Sequence, residues 1–444
     1  MPSDDAALRV EAISRWHQLL HETPGSDPGL ERLRGIVTFG DRRVFTVARP
    51  HFVTPVRYEV ERLATSLVGS ALAKVLAGLH ADPSLLEGLG VGEAERELVT
   101  IDPGFENVDV LDRYDAFFGK KLDFVEVQGA APGGIGYHDE AAEAFAQTHV
   151  YERFTQDYDA RPLLVKNSLM EAFLDTWRDW GGKGDPVIAI VDWKDGLLMP
   201  EFEIIRDHLV EAGIQTMICD PRSLSFDGER LVAESTSIDL VYRRLMIQDC
   251  LAWPDATKTL VDAARAGAVC LVNPFVSDLI GHKSAFALLT SPEHDFGLGS
   301  AERNAVRNHV PWTKRLVRDG DPGAADTVPE GYVLEHRTSL VIKPTHDYGG
   351  SNVHLGWEME LGEWEKVVAD AVGEDHVVQQ RIVAHHEKFA LDKPGFPLQD
   401  FYLDTDPFMF RGKMVGILTR MSLGGVTNVT QGGSMAPTFL LSPA

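Results

Sequence analysis

Arg113 and Asp115 occupy alternate positions of one run with strand character, 113–118, and Glu126 and Gln128 do the same in the next, 122–128. Gly119-Lys120-Lys121 joins the two runs in a connection short enough for a hairpin. Side chains at i and i+2 share a face of a strand, so one arginine, two carboxylates and one amide gather on paired strands. Hard oxygen ligands grouped in this way suit Mg2+ that bridges phosphate oxygens. An exposed cross-strand salt bridge would use the same residue types. A second chemical stretch is 339–356, SLVIKPTHDYGGSNVHLG, where Leu340, Val341 and Ile342 lead to Lys343-Pro344 and a polar loop passes through Gly349-Gly350 to an alternating run at 353–355. A lysine fixed at a strand end, opposite glycines that let backbone N–H groups approach, suits a polyphosphate. An ordinary surface hairpin with an exposed lysine is the competing reading.

The elements that position these residues follow from pattern. Residues 6–21 space Leu8, Val10, Ile13, Trp16 and Leu19 as on a helix, and TPGSDPG at 23–29 ends it. Residues 43–47 alternate like a strand, and 55–79 place Val60, Leu63, Leu67, Ala71 and Val75 near one helical face. The loop 129–134, GAAPGG, is poor in side chains and suits a close backbone approach. From 163–180, a helical stretch, the chain alternates: strands at 186–191, 216–219, 239–242 and 268–272, a helix at 203–212 and a small hairpin at 224–231. Such alternation implies βαβ units and a doubly wound parallel sheet. Ser277 or Asp278 is placed to cap a helix carrying Gly281-His282-Lys283-Ser284, and His282 has no partner at metal-ligand spacing in the sequence. An amphipathic helix at 361–372 precedes a short buried strand, 376–382; residues 385–397 are polar and read as a loop; 408–419 form a hairpin turning at Arg411-Gly412-Lys413.

In this order the motifs resemble a known family. Lys343 followed by the Gly-rich tip is similar to the phosphate lid of ATP-grasp ligases. Arg-x-Asp, a hairpin and then Glu-x-Asn is the pattern of glutathionylspermidine-synthetase-like, circularly permuted ATP-grasp enzymes, with Gln128 here in place of Asn. The resemblance covers most of 110–440. It implies that Asp115, Glu126 and Gln128 hold Mg2+, that Arg113 and Arg420 act catalytically on the transferring phosphoryl group, and that Lys283, Lys343, Gly349, Gly350 and Ser351 contact the phosphates of ATP. It also implies an adenine hinge at Gln379, Gln380, Arg381 and Ile382. Asn428, which follows the arginine strand as in the family, is a candidate substrate contact together with Arg243, Arg244 and the GGIGY loop at 133–137. An unpermuted chain would carry its Glu-x-Asn pair after the hinge, yet neither Glu-x-Asn nor Glu-x-Gln occurs between 383 and 444.

Composition bounds the rest. A chain of 444 residues with 44% hydrophobic and 25% charged residues has the balance of a globular enzyme with two or three domains. The expected division is 1–160, a helical segment plus the metal-bearing hairpin; 161–275, a pre-ATP-grasp-like α/β domain; and 276–444, the lid and nucleotide-binding domain. Lys+Arg 42 against Asp+Glu 67 gives a formal charge of −25, which repels nucleic acid and anionic membrane. An anionic ligand then needs a local cation cluster or a metal. Cys219, Cys250 and Cys270 lack disulfide or metal spacing and read as core residues near strands in a reducing, cytoplasmic compartment. The acidic N-terminus is unlike a signal peptide, and no apolar run approaches a membrane span of about 18 residues. The expectation is therefore an α/β, circularly permuted ATP-grasp fold acting as an ATP- and Mg2+-dependent ligase that joins a carboxylate to an amine. An ATP-grasp kinase and a nucleotide-binding pseudoenzyme or peptide-binding module are the alternatives, and the oligomeric state is left open, a homodimer included.

Overall fold

Pro55 in the first turn and Thr54 at the cap, whose hydroxyl accepts the Arg57 N–H, start the helix Pro55–Ala81. Val68, Ala71, Leu72, Val75 and Leu79 recur on its buried side. By length and composition its stretch Pro55–Leu79 could cross a membrane, against the sequence expectation, but half of the tested window is buried inside the protein. It packs on the hairpin side of the core: a Cβ at Gly69 would lie 3.1 Å from the Tyr114 hydroxyl. The structure, a computed structural model, describes residues 2–444 apart from 24, 37, 40–41, 83, 322, 347–351 and 430–431. Gly349, Gly350 and Ser351 thus lie outside the described residues.

Among the described residues the main strands fall into three sheets that matter for the site. The largest has eight strands and joins Leu111–Phe118 and Leu122–Gln128 to the C-terminal strands Leu398–Phe410, Lys413–Ser422 and Ser434–Pro443. A five-stranded sheet runs in the order Thr327–Pro329, Thr313–Val317, His376–Gln380, Leu340–Pro344, His354–Leu355. It is backed by Leu361–Ala371, whose Trp364 is fully buried and donates Nε1–H to the Val333 carbonyl at 3.1 Å. The third, four-stranded and parallel, has the order Cys270–Val272, Leu240–Arg243, Ile188–Val191, Thr216–Cys219, as the βα alternation required. Asn273, at its strand end, bolts this sheet to the first hairpin: its amide donates to the carbonyls of Leu111 and Gly129 at 2.7 Å and accepts Leu111 N–H at 3.0 Å.

Three local expectations are corrected. Residues 385–397 are not all loop: His385–Ala390 is a strand paired with Leu398–Phe410. Its polar run alternates with buried Glu387 and Phe389, and Glu387 meets Arg49 Nη2 at 2.6 Å, so the polarity is neutralised inside rather than solvated. Residues 43–47 form no continuous strand; only Arg42–Arg43 pairs as one, and Val47 makes an isolated bridge to Leu391. Neither Ser277 nor Asp278 caps the helix after it: Ser277 donates to the Val108 carbonyl at 2.6 Å, while Asp278 accepts from Ile247 N–H at 3.0 Å and pairs with Arg243. The helical stretch accordingly breaks into Asp278–Gly281 and Ser284–Thr290 with Lys283 between them. All three cysteines are buried and free, as expected of core residues, with Cys250 on the helix Ile247–Ala252.

Candidate active site in a cleft between two sheets

The hairpin sheet and the five-stranded sheet face each other across a cavity of ≈ 220 Å³. Register places Arg113 opposite Gln128 and Asp115 opposite Glu126, with a bulge after Asp115. Arg113 grips Asp115 with two donors, Nε to Oδ1 at 2.7 Å and Nη2 to Oδ2 at 3.1 Å, and gives a third to the Gly133 carbonyl at 2.9 Å. Arg420 comes from Lys413–Ser422, two strands over from Asp115: its Nη2 reaches Asp115 Oδ2 and Asp404 Oδ2, each at 2.8 Å, and its Nε stands 2.8 Å from Asp406 Oδ2. Thr427 donates its hydroxyl to Asp404 as well.

These buried carboxylates titrate differently because their neighbours differ. Burial works to raise Asp115, but the guanidiniums of Arg113 and Arg420 outweigh it and hold Asp115 below the usual carboxylate range. Burial pushes Asp404 up to about 6, against Arg420 and with the charge of Asp115. Asp406 is pushed well above its ordinary value by burial and by Asp404 and Asp115. Two guanidiniums among several carboxyls therefore leave some of the carboxyls holding protons more tightly than usual.

The opposite wall carries Lys343. Lys343 Nζ donates to Gln379 Oε1 at 2.9 Å and to the Val125 carbonyl at 3.3 Å, while Gln379 Nε2 is steadied by Thr313 Oγ1 at 3.0 Å. Burial and the nearby charge of Lys283 pull Lys343 down to about 8, against Glu126. Lys283 Nζ lies 3.4 Å from Glu126 Oε2, and its backbone N–H donates to the Thr345 carbonyl at 3.1 Å, tying its helix start to the end of the lysine strand. Val341, Leu355, Trp357, Ile382 and Tyr402 give the same cavity an apolar slot. The cavity thus combines charged groups with apolar side chains, as a nucleotide combines phosphates with a flat base.

The cavity gathers Asp115, Glu126, Lys343, Gln379, Gln380, Arg381, Ile382, Arg420 and Asn428. Arg113 and Lys283 stand behind this wall through Asp115 and Glu126. Arg381 spends its backbone N–H on the Ser339 carbonyl at 2.8 Å and lays its guanidinium over Trp357 at 4.2 Å. Gln128 is not part of the cavity lining: it donates Nε2 to Glu126 at 3.3 Å and lines a separate small cavity with His282 and His346. Arg243 is fully buried, bonded to the carbonyls of Asn273 at 2.9 Å and Leu245 at 2.6 Å, so it braces the parallel sheet away from the cleft. Arg244 donates to the Pro132 carbonyl and the Tyr242 hydroxyl, both at 2.9 Å, beneath the glycine loop. That loop ends at Gly134, in the left-handed region at φ 95°, and the N–H groups of Gly134 and Gly136 are taken by Glu201 at 3.1 and 3.0 Å.

Asp404, Asp406 and Thr427 are site residues that the sequence reading did not single out. The signal was present in Leu403-Asp404-Thr405-Asp406, two carboxylates at i and i+2, with Asp404 directly opposite Arg420 in register. For Mg2+ the donor chemistry fits, since the lining carboxylates supply hard oxygens. Both Asp115 oxygens already accept guanidinium N–H groups, whereas Glu126 meets an amide and a lysine.

No protein-family model and no curated protein matches the chain. Among solved structures, the glutathione synthetase-like effector GSS30 from Globodera pallida, in apo form, aligns over 94% of this chain and 98% of its own at 13% identity with a TM-score of 0.59. A protein assigned provisionally as a gamma-glutamylcysteine synthetase, from Methylobacillus flagellatus KT, aligns over 88% of this chain and 89% of its own at 11% identity with a TM-score of 0.41. The chain shares the mixed α/β fold of the glutathione synthetase-like effector GSS30.

Proposed function

We propose that the chain is an ATP- and Mg2+-dependent carboxylate–amine ligase with its ATP-grasp elements in circularly permuted order. The observation that carries this reading is the facing of Lys343, braced by Gln379, and Glu126, backed by Lys283, across one cleft. The permuted order is supported by the pairing of the hairpin at 111–128 with the C-terminal strands in one sheet. In this reading the adenine lies in the apolar slot, Lys343 and Lys283 neutralise phosphate charge, and Arg420 and Arg113 keep Asp115 anionic and steady the charge that spreads during transfer. Glu126, with Asp115 or Asp404, would hold Mg2+, which when bound supplies charge neutralisation of the phosphates.

In the first step a substrate carboxylate oxygen bonds to the γ-phosphorus as the bond to the β-phosphate oxygen breaks and ADP leaves. An amine nitrogen then bonds to the acyl carbon, the carbon–oxygen bond breaks, and inorganic phosphate leaves as the amine gives up a proton. Positioning and electrostatics supply most of the catalysis in phosphoryl transfer, so no nucleophilic side chain is required. An amino acid or small peptide as the carboxylate, as in peptide-modification chemistry, rests on analogy of fold.

The test is ADP release from ATP and Mg2+ over a panel of amino acids and peptides with hydroxylamine as surrogate amine. ADP and a hydroxamate appearing together for one carboxylate support the ligase. ADP with a stable phosphorylated product makes the protein a kinase, and ATP binding without turnover across an exhaustive panel favours a binding module.

A further inference from the structure

His282 has no metal partner by spacing in the sequence, but the fold corrects this by bringing it to Glu95, from the helix Glu93–Val99, and to His346, three residues past Lys343. One ligand atom from each of Glu95, His282 and His346 lies within 4.8 Å of the others. His282 is 3% exposed and Glu95 6%. Glu95 Oε1 and His282 Nε2 approach to 2.8 Å, while His282 Nδ1 and His346 Nδ1 are buried without a hydrogen-bond partner. Buried polar atoms in that state are costly unless something satisfies them. The two imidazoles cross at 78° with ring centres 4.0 Å apart. An adjoining cavity of ≈ 20 Å³, lined by Gln128, Gln248, Asp278, His282 and His346, has room for one water, and Gln248 Oε1 is a further buried acceptor without a partner.

We propose that Glu95, His282 and His346 bind one divalent transition-metal ion of the Zn2+ class, with a water in the adjoining cavity completing the coordination. Two imidazoles and a carboxylate suit Zn2+, Co2+ or Ni2+, whereas Mg2+ prefers oxygen donors, so the site is chemically distinct from the carboxylates of the cleft. Its position gives it a structural consequence. The ion joins the residue before Lys283 to the segment after Lys343, and so fixes the two lysines of the cleft relative to each other.

The test uses the full chain, stripped with chelator and titrated with Co2+ in excess Mg2+. One Co2+ per chain, with visible d–d bands that Zn2+ abolishes, is expected. His346→Ala and Glu95→Gln should each weaken that binding at least about tenfold, while Glu126→Gln should leave it unchanged. Absence of stoichiometric Co2+ or Zn2+ at micromolar free metal would overturn the proposal, as would binding that persists in both ligand variants. X-ray absorption of the Zn2+-loaded wild-type chain needs no variant to fold: imidazole scattering without sulfur supports the site, and a sulfur shell from the cysteines overturns it.

Discussion

Asp115 and Arg420, 305 positions apart in the chain, meet at 2.8 Å inside the protein. The same guanidinium nitrogen reaches Asp404 at 2.8 Å, so Arg420 is the cation that lets several carboxylates share one buried wall. Removing one partner of such a group leaves charge uncompensated, at a cost of about 3–5 kcal/mol. Arg420→Ala should therefore lower stability by that order, seen as an earlier urea midpoint. Arg420→Lys keeps the charge but loses the planar fork, and should fold while ADP release falls about 100-fold or more. Full activity in the lysine variant would show that a point charge suffices and remove Arg420 from the phosphoryl-transfer reading.

Lys343 gives a prediction in both activity and stability. Lys343→Ala should abolish nucleotide turnover, and unchanged turnover would remove the phosphate role of this strand. Its pKa, pulled by burial down to about 8, is lower in the folded than in the unfolded chain. The unfolded chain therefore binds more protons between about 8 and 10.5, and stability from this residue rises with pH across that window, by roughly 3 kcal/mol at most. Lys343→Met should remove that rise, read as the difference between the two urea series at pH 8 and pH 10. A difference that stays constant with pH would mean that the ammonium is solvated.

The hairpin at 111–128 and the parallel sheet were legible because their signals are local: alternation sets which side chains share a face, and strand–helix alternation sets the sheet. Asp404 was not, because the strand Leu398–Phe410 begins ten positions before the expected hairpin strand at Phe408, in a polar stretch that looks like loop until Arg420 is placed opposite it. The run 385–390 misled for the same reason: Glu387 is buried only because Arg49 and Arg9 arrive from the N-terminal segment. Pairing of charges across hundreds of residues is a tertiary fact with no period in the sequence. His282 and Glu95 belong to the same class.

Glu126 and Glu140 offer a controlled comparison. Glu126 lines the cleft and stands 3.4 Å from Lys283, whereas Glu140 is held by Arg32 at 2.8 Å and Lys166 at 2.9 Å on the helix Ile135–Ala146. Glu126→Gln should raise the Mg2+ concentration for half-maximal ADP release about tenfold or more, since a neutral amide is a weaker ligand than a carboxylate. Glu140→Gln should cost at most about 1 kcal/mol of stability and leave the Mg2+ dependence alone. Equal Mg2+ dependence in the two variants would remove Glu126 from the metal site.

Asp404 supplies the acid-side counterpart. Burial pushes it up to about 6, so the folded chain holds this proton more tightly than the unfolded chain, whose carboxyl titrates near 4. Stability from the protonated group is then fully present below about 4 and is lost as pH rises through about 6, by roughly 3 kcal/mol at most. The charge of Asp115 and the close approach of Asp406 to the same arginine make this step a property of the cluster rather than of one carboxyl. Asp404→Asn imitates the protonated form at every pH and keeps an oxygen for the Arg420 N–H groups. The wild-type stability measured against this variant should therefore fall between pH 4 and pH 6.5, while other titrations cancel in the difference. Turnover should move the opposite way: if the anionic form serves the cleft, wild-type ADP release rises through about pH 6, and the asparagine variant is slow throughout with no acidic limb. A variant that keeps both the acidic limb and the wild-type stability profile would place the titrating carboxyl elsewhere, with Asp406 the next to replace.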